Sequence, residues 1–196
     1  MIRSRCVLAW GLLVVGLGGA MGCASQSGHH VHEGNVESLE ASARASYSEL
    51  LEGNDAAKLL AEDAVGVLVF PKILKAGLTF GGQYGEGVLL QGDEALSYHN
   101  SVSASFGLQA GVQTFGYALI FTNEKALSYV RESAGWEIGL GPSLVIADRG
   151  IGKSLTSTTV RADIYAFVFD QKGLMAGSGL QGTKISPIFR DKAGAQ

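Results

Sequence analysis

The chain has 196 residues and a formal net charge of −3 at pH 7, with 15 basic and 18 acidic side chains. Residues 23–64 carry −6 and residues 65–196 carry +1, so neither part has the basic excess of a nucleic-acid-binding domain. The length suits one domain with a real core. Only two cysteines are present, Cys6 and Cys23, and we predict neither a metal site nor a cofactor.

The first 22 residues have the pattern of a secretory signal. Two arginines precede an apolar run at residues 7–17, and small residues lead to Cys23. The run is shorter than the ~20 residues of a membrane-spanning helix. Its end resembles a lipobox, where a bacterial lipoprotein is cut before a cysteine whose thiol takes a diacylglycerol. We therefore predict a lipoprotein signal peptide over residues 1–22 and lipid attachment at Cys23.

The lipobox match is imperfect, because Ala20 and Met21 stand where Leu and a small residue are usual. The alternative is an ordinary signal peptide, cut near Gly22, that leaves Cys23 as a free thiol. Ala24 after the cysteine, rather than Asp, favours sorting to the outer membrane of a Gram-negative cell. The expected location is the cell envelope, as an outer-membrane lipoprotein that faces the periplasm and carries acyl chains such as palmitate.

A polar segment and two helices are predicted next. Residues 23–35 are rich in Ser, Gly and His and are typical of a flexible tether; its three histidines lack metal-ligand spacing. Apolar residues then recur at steps of three and four, which predicts a helix that ends at Gly53. Asn54 is the predicted N-cap of a second helix over about 55–64. The periodic residues of the first helix are Val36, Leu39, Ala43, Tyr47, Leu50 and Leu51.

From Val65 onward the pattern is that of strands. Residues 65–70 are an unbroken apolar run, typical of a buried strand that Pro71 stops. Residues 78–84, 106–113 and 136–140 alternate with period two, which predicts half-buried strands with one face on the core. Residues 115–121 and 165–169 are more fully apolar and predict central strands.

One helix interrupts the strands. Asn123 is its predicted N-cap, Glu124 lies in its first turn, and Gly135 follows its end. Nineteen glycines between Gly66 and Gly182 favour bends and close backbone approach. The predicted fold class is α+β, mainly antiparallel β: a curved, Gly-rich sheet or small barrel with N-terminal helices and one inserted helix.

No catalytic constellation is visible in the sequence. Residues 150–154 resemble the end of a P-loop, but Ala147 stands where its first glycine belongs. No Ser lies in a GxSxG turn, and His99 has no obvious nucleophile beside it. We expect that the protein is not an enzyme.

Four blocks in order resemble the SYLF domain family: residues 66–77 with 81–90, residues 105–113 with 119–127, residues 135–139, and residues 165–174 with 179–186. The resemblance assigns residues 36–196 to a SYLF-like domain with its core at about 64–189. It implies lipid binding, since eukaryotic members bind phosphoinositides and some fungal members bind actin filaments. In those proteins basic residues and an amphipathic N-terminal helix meet the membrane, whereas the N-terminal helix of this chain is acidic.

The resemblance leads to an expected function and a set of expected site residues. We expect an outer-membrane-anchored periplasmic lipoprotein whose domain binds phospholipid; the alternative is a structural or stress-related envelope protein that binds another protein. The candidate residues are basic and lie in loops or in the resembling blocks, where they could meet phosphate head groups; the alternative is that they are ordinary solvated loop charges. They are Lys72, Lys75, Arg149, Lys153 and Lys184.

Overall fold

The computed structural model describes residues 33–138, 141–147 and 162–188. The predicted signal peptide, Cys23 and most of the predicted tether lie outside these residues. Two of the candidate basic residues, Arg149 and Lys153, also lie outside them.

Two helices open the described part of the chain, α1 (Glu33–Gly53) and α2 (Asp55–Glu62). Asn54 caps α2 as predicted, since its side chain accepts a hydrogen bond from the Ala57 N–H at 3.0 Å. The start of α1 differs from the prediction, because the last three residues assigned to the tether are helical. Val36 is buried in the core, and the helical turn that begins at Glu33 holds its side chain there.

Strands make up most of the remainder and form one sheet. They are β1 (Gly66–Gln91), β2 (Glu94–Phe121), β3 (Trp136–Glu137), β4 (Leu144–Ala147) and β5 (Ile164–Ile188), with helix α3 (Glu124–Glu132) between β2 and β3. The sheet order is β1-β2-β5-β3, all antiparallel, and β4 pairs with β5 in parallel. The sheet curls into a half-barrel, so the predicted α+β class with a curved antiparallel sheet is confirmed.

Pro71 does not stop the first strand, contrary to the prediction. β1 continues through it to Gln91, and the β1–β2 register shifts between Phe70 and Ile73. Proline has no N–H to give to the ladder, and an irregular position of this kind leaves it unpaired without ending the strand. The predicted cap of α3 is confirmed, since the Asn123 side chain accepts from the Ala126 N–H at 3.0 Å.

β1 doubles back on itself near Thr79, whose φ is 65°. Its two halves lie so close that a Cβ at Gly85 would be 2.8 Å from the Lys72 carbonyl oxygen. A Cβ at Gly87 would be 2.6 Å from the Val69 carbonyl oxygen. Only glycine permits this approach, so these positions let the long sheet fold over at its middle.

Two apolar clusters cover the two faces of the sheet. We call the face under α1 and α2 the outer face and the face under α3 the inner face. The outer cluster joins both helices to β1, β2 and β5 through residues that include Val36, Leu50, Leu60, Val69, Val88, Ile120 and Phe167. The inner cluster includes Phe70, Ile73, Leu89, Phe121, Leu127, Trp136 and Ile185.

Candidate functional site

Large apolar side chains are exposed where β1, β2 and β5 bend. Eight of them lie on the outer face of these strands, beyond the part that the helices cover, with exposed fractions of 41–88%. We call this set the apolar tip. Its members are Leu74, Leu78, Phe80, Tyr84, Val102, Phe106, Val112 and Leu174.

The strand register makes the apolar tip a continuous surface. Phe80 lies opposite Phe106, with ring centroids 5.0 Å apart, and Tyr84 lies opposite Val102. Cross-strand partners share a face of the sheet, so these side chains form adjacent rows. The row between them consists only of the small residues Gly82, Ala104 and Gly182, which makes that part of the surface shallow.

The inner face of the same region is polar. Gln83, Ser101, Ser103 and Ser105 are buried there, and the Ser103 hydroxyl lies 2.8 Å from that of Thr183. A sheet in water normally turns its apolar face inward and its polar face outward. Here the polarity is reversed, so the prediction that the alternating residues 78–84 and 106–113 put their apolar face on a core is wrong.

Charged side chains of both signs border the tip. The three strand segments that form it, residues 74–85, 102–114 and 171–184, contain three lysines and no acidic residue, but Glu86 and Asp170 lie immediately beside them. The Glu86 carboxylate accepts a hydrogen bond of 2.6 Å from the Tyr84 hydroxyl. Lys172 forms an exposed ion pair with Asp170 at 2.9 Å. Lys184 lies on the outer face in the row of Val102, and Glu137 is its partner on β3.

The candidate lysines do not share one surface. Lys72 is exposed and lines a groove of about 620 Å³ between β1 and the serines of α1. Lys75 turns to the inner face, where its Nζ donates a hydrogen bond of 2.7 Å to Gln181 Oε1 and so joins the two halves of the sheet. Lys184 pairs with Val102 and its side chain lies beside Gly135, at the edge of the exposed apolar rows, and Lys72 borders these rows through the groove that Leu74 also lines.

A buried histidine lies in the same part of the inner face. His99 is 1% exposed, its Nε2 lies 2.9 Å from the Ser97 hydroxyl, and its Nδ1 has no hydrogen-bond partner among the described residues. Burial lowers the pKa of His99 to about 4, because desolvation disfavours the charged ring. The imidazole is neutral at pH 7 and contributes no charge to the tip.

The described part of the chain holds no group of three or more His, Cys, Asp or Glu residues placed to bind a metal ion. Among its helices, none combines the length and apolar character that crossing a membrane requires.

Sequence reasoning missed the apolar tip, although two signals were present. Period-two alternation reports that a strand has one apolar face, but it does not report what covers that face. The absence of acidic residues from three separate segments was the second signal, and the register brings these segments together.

Comparison with known proteins supports the resemblance found in the sequence. Residues 102–192 match the family model described as Ysc84, Las17-binding protein actin regulator. This span contains most of β2 and all of β5, two of the three strands of the apolar tip. No curated protein matches the chain. Over these residues the chain therefore matches the Ysc84 (SYLF) domain that its sequence resembles.

Proposed function

We propose that this protein is a non-enzymatic envelope lipoprotein whose SYLF domain binds phospholipid membranes through the apolar tip. The exposed rows of Phe80, Phe106 and their neighbours are the single observation that carries the proposal. Monomeric proteins in water seldom expose large contiguous apolar patches, and such patches mark membrane or protein contacts. The family resemblance to lipid-binding domains supports the same function.

The apolar tip supplies enough surface to hold the domain on a bilayer. The exposed fractions of its eight side chains add up to about five fully exposed ones. At roughly 2 kcal/mol for each buried apolar side chain, complete transfer from water contributes about 10 kcal/mol. Part of this is lost if the tip inserts only to the head-group level, so the affinity of the domain alone is moderate.

Lysines around the apolar tip favour anionic lipid. Each Lys near an anionic surface contributes about 1 kcal/mol, and this attraction weakens as salt screens it. Lys184 continues the row of Tyr84 and Val102 on β5, at the edge of the tip, and Lys72 borders the tip through the groove beside α1. Because Lys75 is hydrogen-bonded inside the half-barrel, its contribution is to the fold.

The second part of the proposal is the anchor. The lipobox-like sequence before Cys23 supports cleavage there and acylation of its thiol and amine. One acyl chain holds a protein only marginally, whereas two or three hold it stably. Ala24 supports retention in the outer membrane, with the domain in the periplasm.

Vesicle flotation of the mature chain, residues 23–196 with Cys23→Ser, tests lipid binding without the anchor. We expect flotation with vesicles that contain one-third phosphatidylglycerol, and less flotation with pure phosphatidylcholine or at high salt. Ile146→Ser is a matched control, because Ile146 is exposed on β4, outside the tip. We expect that this substitution leaves flotation unchanged. If the parent chain stays at the bottom of the gradient with every vesicle, the lipid-binding function is wrong.

The alternative is an envelope protein as the partner of the same surface. The family description names a protein ligand, and an exposed apolar face is also suited to a protein interface. This alternative becomes the better one if the parent chain does not bind vesicles and an envelope protein co-purifies with the parent chain but not with Phe80→Ser.

Mass spectrometry of the protein from cells tests the anchor separately. We expect an N-terminal Cys23 that carries acyl chains, and Cys23→Ala should release the protein from membranes or block its processing. An unmodified thiol at Cys23 would show that the ordinary signal peptide is the correct interpretation.

A further inference from the structure

The start of α1 lies on the side of the molecule where the apolar tip is. Arg44, in the middle of α1, donates a hydrogen bond of 2.8 Å to the carbonyl oxygen of Asp93, in the turn between β1 and β2. One turn earlier, Glu40 accepts a hydrogen bond from the Tyr98 hydroxyl. From Asp93 to Tyr98, β2 runs from its turn toward the tip, so α1 runs in the opposite direction and begins near the tip.

The grooves beside α1 confirm its direction. Its N-terminal half, with Leu39, lines a groove together with Leu74 and Tyr84, which are both members of the apolar tip. Its C-terminal half, with Leu51, lines a different groove with Gly66, at the far end of β1. The chain therefore enters the domain on the side that carries the exposed apolar surface.

The distance from Cys23 to α1 is limited by covalent geometry. Nine residues, 24–32, separate Cys23 from Glu33, the first residue of α1. A fully extended chain of this length spans about 35 Å at most. Helix α1 has 21 residues and is itself about 30 Å long.

These lengths disfavour a tip that points away from its own membrane. If the tip faced a second bilayer, the start of α1 would face that bilayer too. Residues 24–32 would then have to span the distance from Glu33 back to the opposite end of α1 before Cys23 reached the lipid that anchors it. That return uses nearly all of the available reach, whereas a tip that faces the anchoring bilayer requires no return.

We infer that the apolar tip docks into the same leaflet that holds the acyl chains of Cys23, so that the domain is attached to one membrane at two points. The inference rests on the proposed function, both on lipid binding by the tip and on acylation of Cys23. A short tether gives the tip an effective lipid-facing concentration in the millimolar range, so a moderate affinity suffices to keep it docked. The apolar tip thus holds the domain against the membrane in which Cys23 is anchored, and it does not connect two membranes.

A fluorophore attached to the tip tests the inference. Acylation blocks the thiol of Cys23, so a cysteine introduced at the tip is the sole free thiol of the mature chain and can be labelled specifically. Leu174→Cys is suited to labelling, since Leu174 is 88% exposed at the tip. Ile146→Cys, exposed on β4, is the matched control. The full-length acylated protein is reconstituted into vesicles of phosphatidylethanolamine and phosphatidylglycerol, with a quencher-bearing lipid either in those vesicles or in a second, added population.

We expect quenching at position 174 by the host vesicles, no quenching by the added vesicles, and no vesicle clustering. Quenching by the added vesicles, or clustering that depends on the tip, would overturn the inference. A label at position 146 that is quenched as strongly as the label at 174 would also overturn it, because the domain would then lie in another orientation.

The anchor-free chain separates this inference from the function on which it rests. Cys23→Ser with a labelled Leu174→Cys is mixed with quencher-bearing vesicles. If this chain is quenched but the acylated protein is not quenched by its host vesicles, docking on the anchoring membrane is wrong and lipid binding stands. If the anchor-free chain is not quenched by any vesicle, lipid binding by the tip is itself wrong.

Discussion

Replacing the aromatic pair of the apolar tip should weaken membrane binding strongly while leaving the fold intact. Phe80 and Phe106 are 71% and 57% exposed, so their substitution by Ser removes little buried area from the folded protein. Burial of a whole Phe contributes up to about 3 kcal/mol, so transfer of the two exposed portions into lipid contributes roughly 3–4 kcal/mol. If the rings insert to half that extent, the contribution is about 2 kcal/mol.

These energies correspond to a loss of about 20- to 500-fold in vesicle partition for Phe80→Ser with Phe106→Ser, since 1.4 kcal/mol is tenfold. Vesicle sedimentation of the anchor-free chain over a range of lipid concentrations measures the partition. The buried Trp136 reports the fold, and its emission should match that of the parent. Val145→Ser with Ile146→Ser, on β4, is the control pair. A double mutant that partitions within threefold of the parent would refute the assignment of the tip.

Three further outcomes are expected from charge, ionisation and packing. Lys184→Glu should lower affinity for anionic vesicles, but not for neutral ones, by up to about 30-fold, whereas Lys75→Glu should lower the urea midpoint because it breaks the bond to Gln181; equal losses with both lipids would contradict the electrostatic role. The pKa of His99 is lowered to about 4 in the folded protein, so the unfolded chain takes up the proton first as pH falls below about 6.5. The stability present above pH 6.5 should therefore decline by about 3 kcal/mol toward pH 4 in urea titrations, and a His99→Gln variant with the same decline would exclude this cause. Gly87→Ala should destabilise the protein by about 1–3 kcal/mol through overpacking between the halves of β1; Gly82→Ala, which meets nothing closer than 3.9 Å, is the control, and equal melting temperatures would show that the halves can separate at no cost.

Local features of the fold could be predicted from the sequence, and the candidate surface could not. Asn54 and Asn123 were recognised as caps because the side chain and the N–H that it bonds are three residues apart. Such contacts depend on nearby residues alone. The extension of β1 through Pro71 depends instead on a register shift against β2, which no local pattern reports.

The apolar tip and the lysines illustrate the same limit. The alternation that contains Phe80 was recognised as a strand, but the sequence does not show that the helices end before covering that part of the sheet. Lys75 is five residues before Phe80, yet its partner Gln181 is 106 residues away, so its structural role required the fold. Family resemblance supplied the expected type of function, and the position of the exposed apolar surface came from the strand register.

The turn after β1 has a consequence for the order of folding. Gln91 and Glu94 are three residues apart, so pairing of β1 with β2 begins there and proceeds by adding neighbouring pairs. β5 instead pairs with β2 across 43 residues at Phe121 and Ile164, and across 90 residues at Tyr98 and Ile188, so it must close a much larger loop. During synthesis β1 and β2 emerge before β5, so until β5 follows, the edge of β2, with Val102 and Phe106, is open to other chains. Protection of this edge until β5 arrives is therefore the step at which aggregation competes with folding.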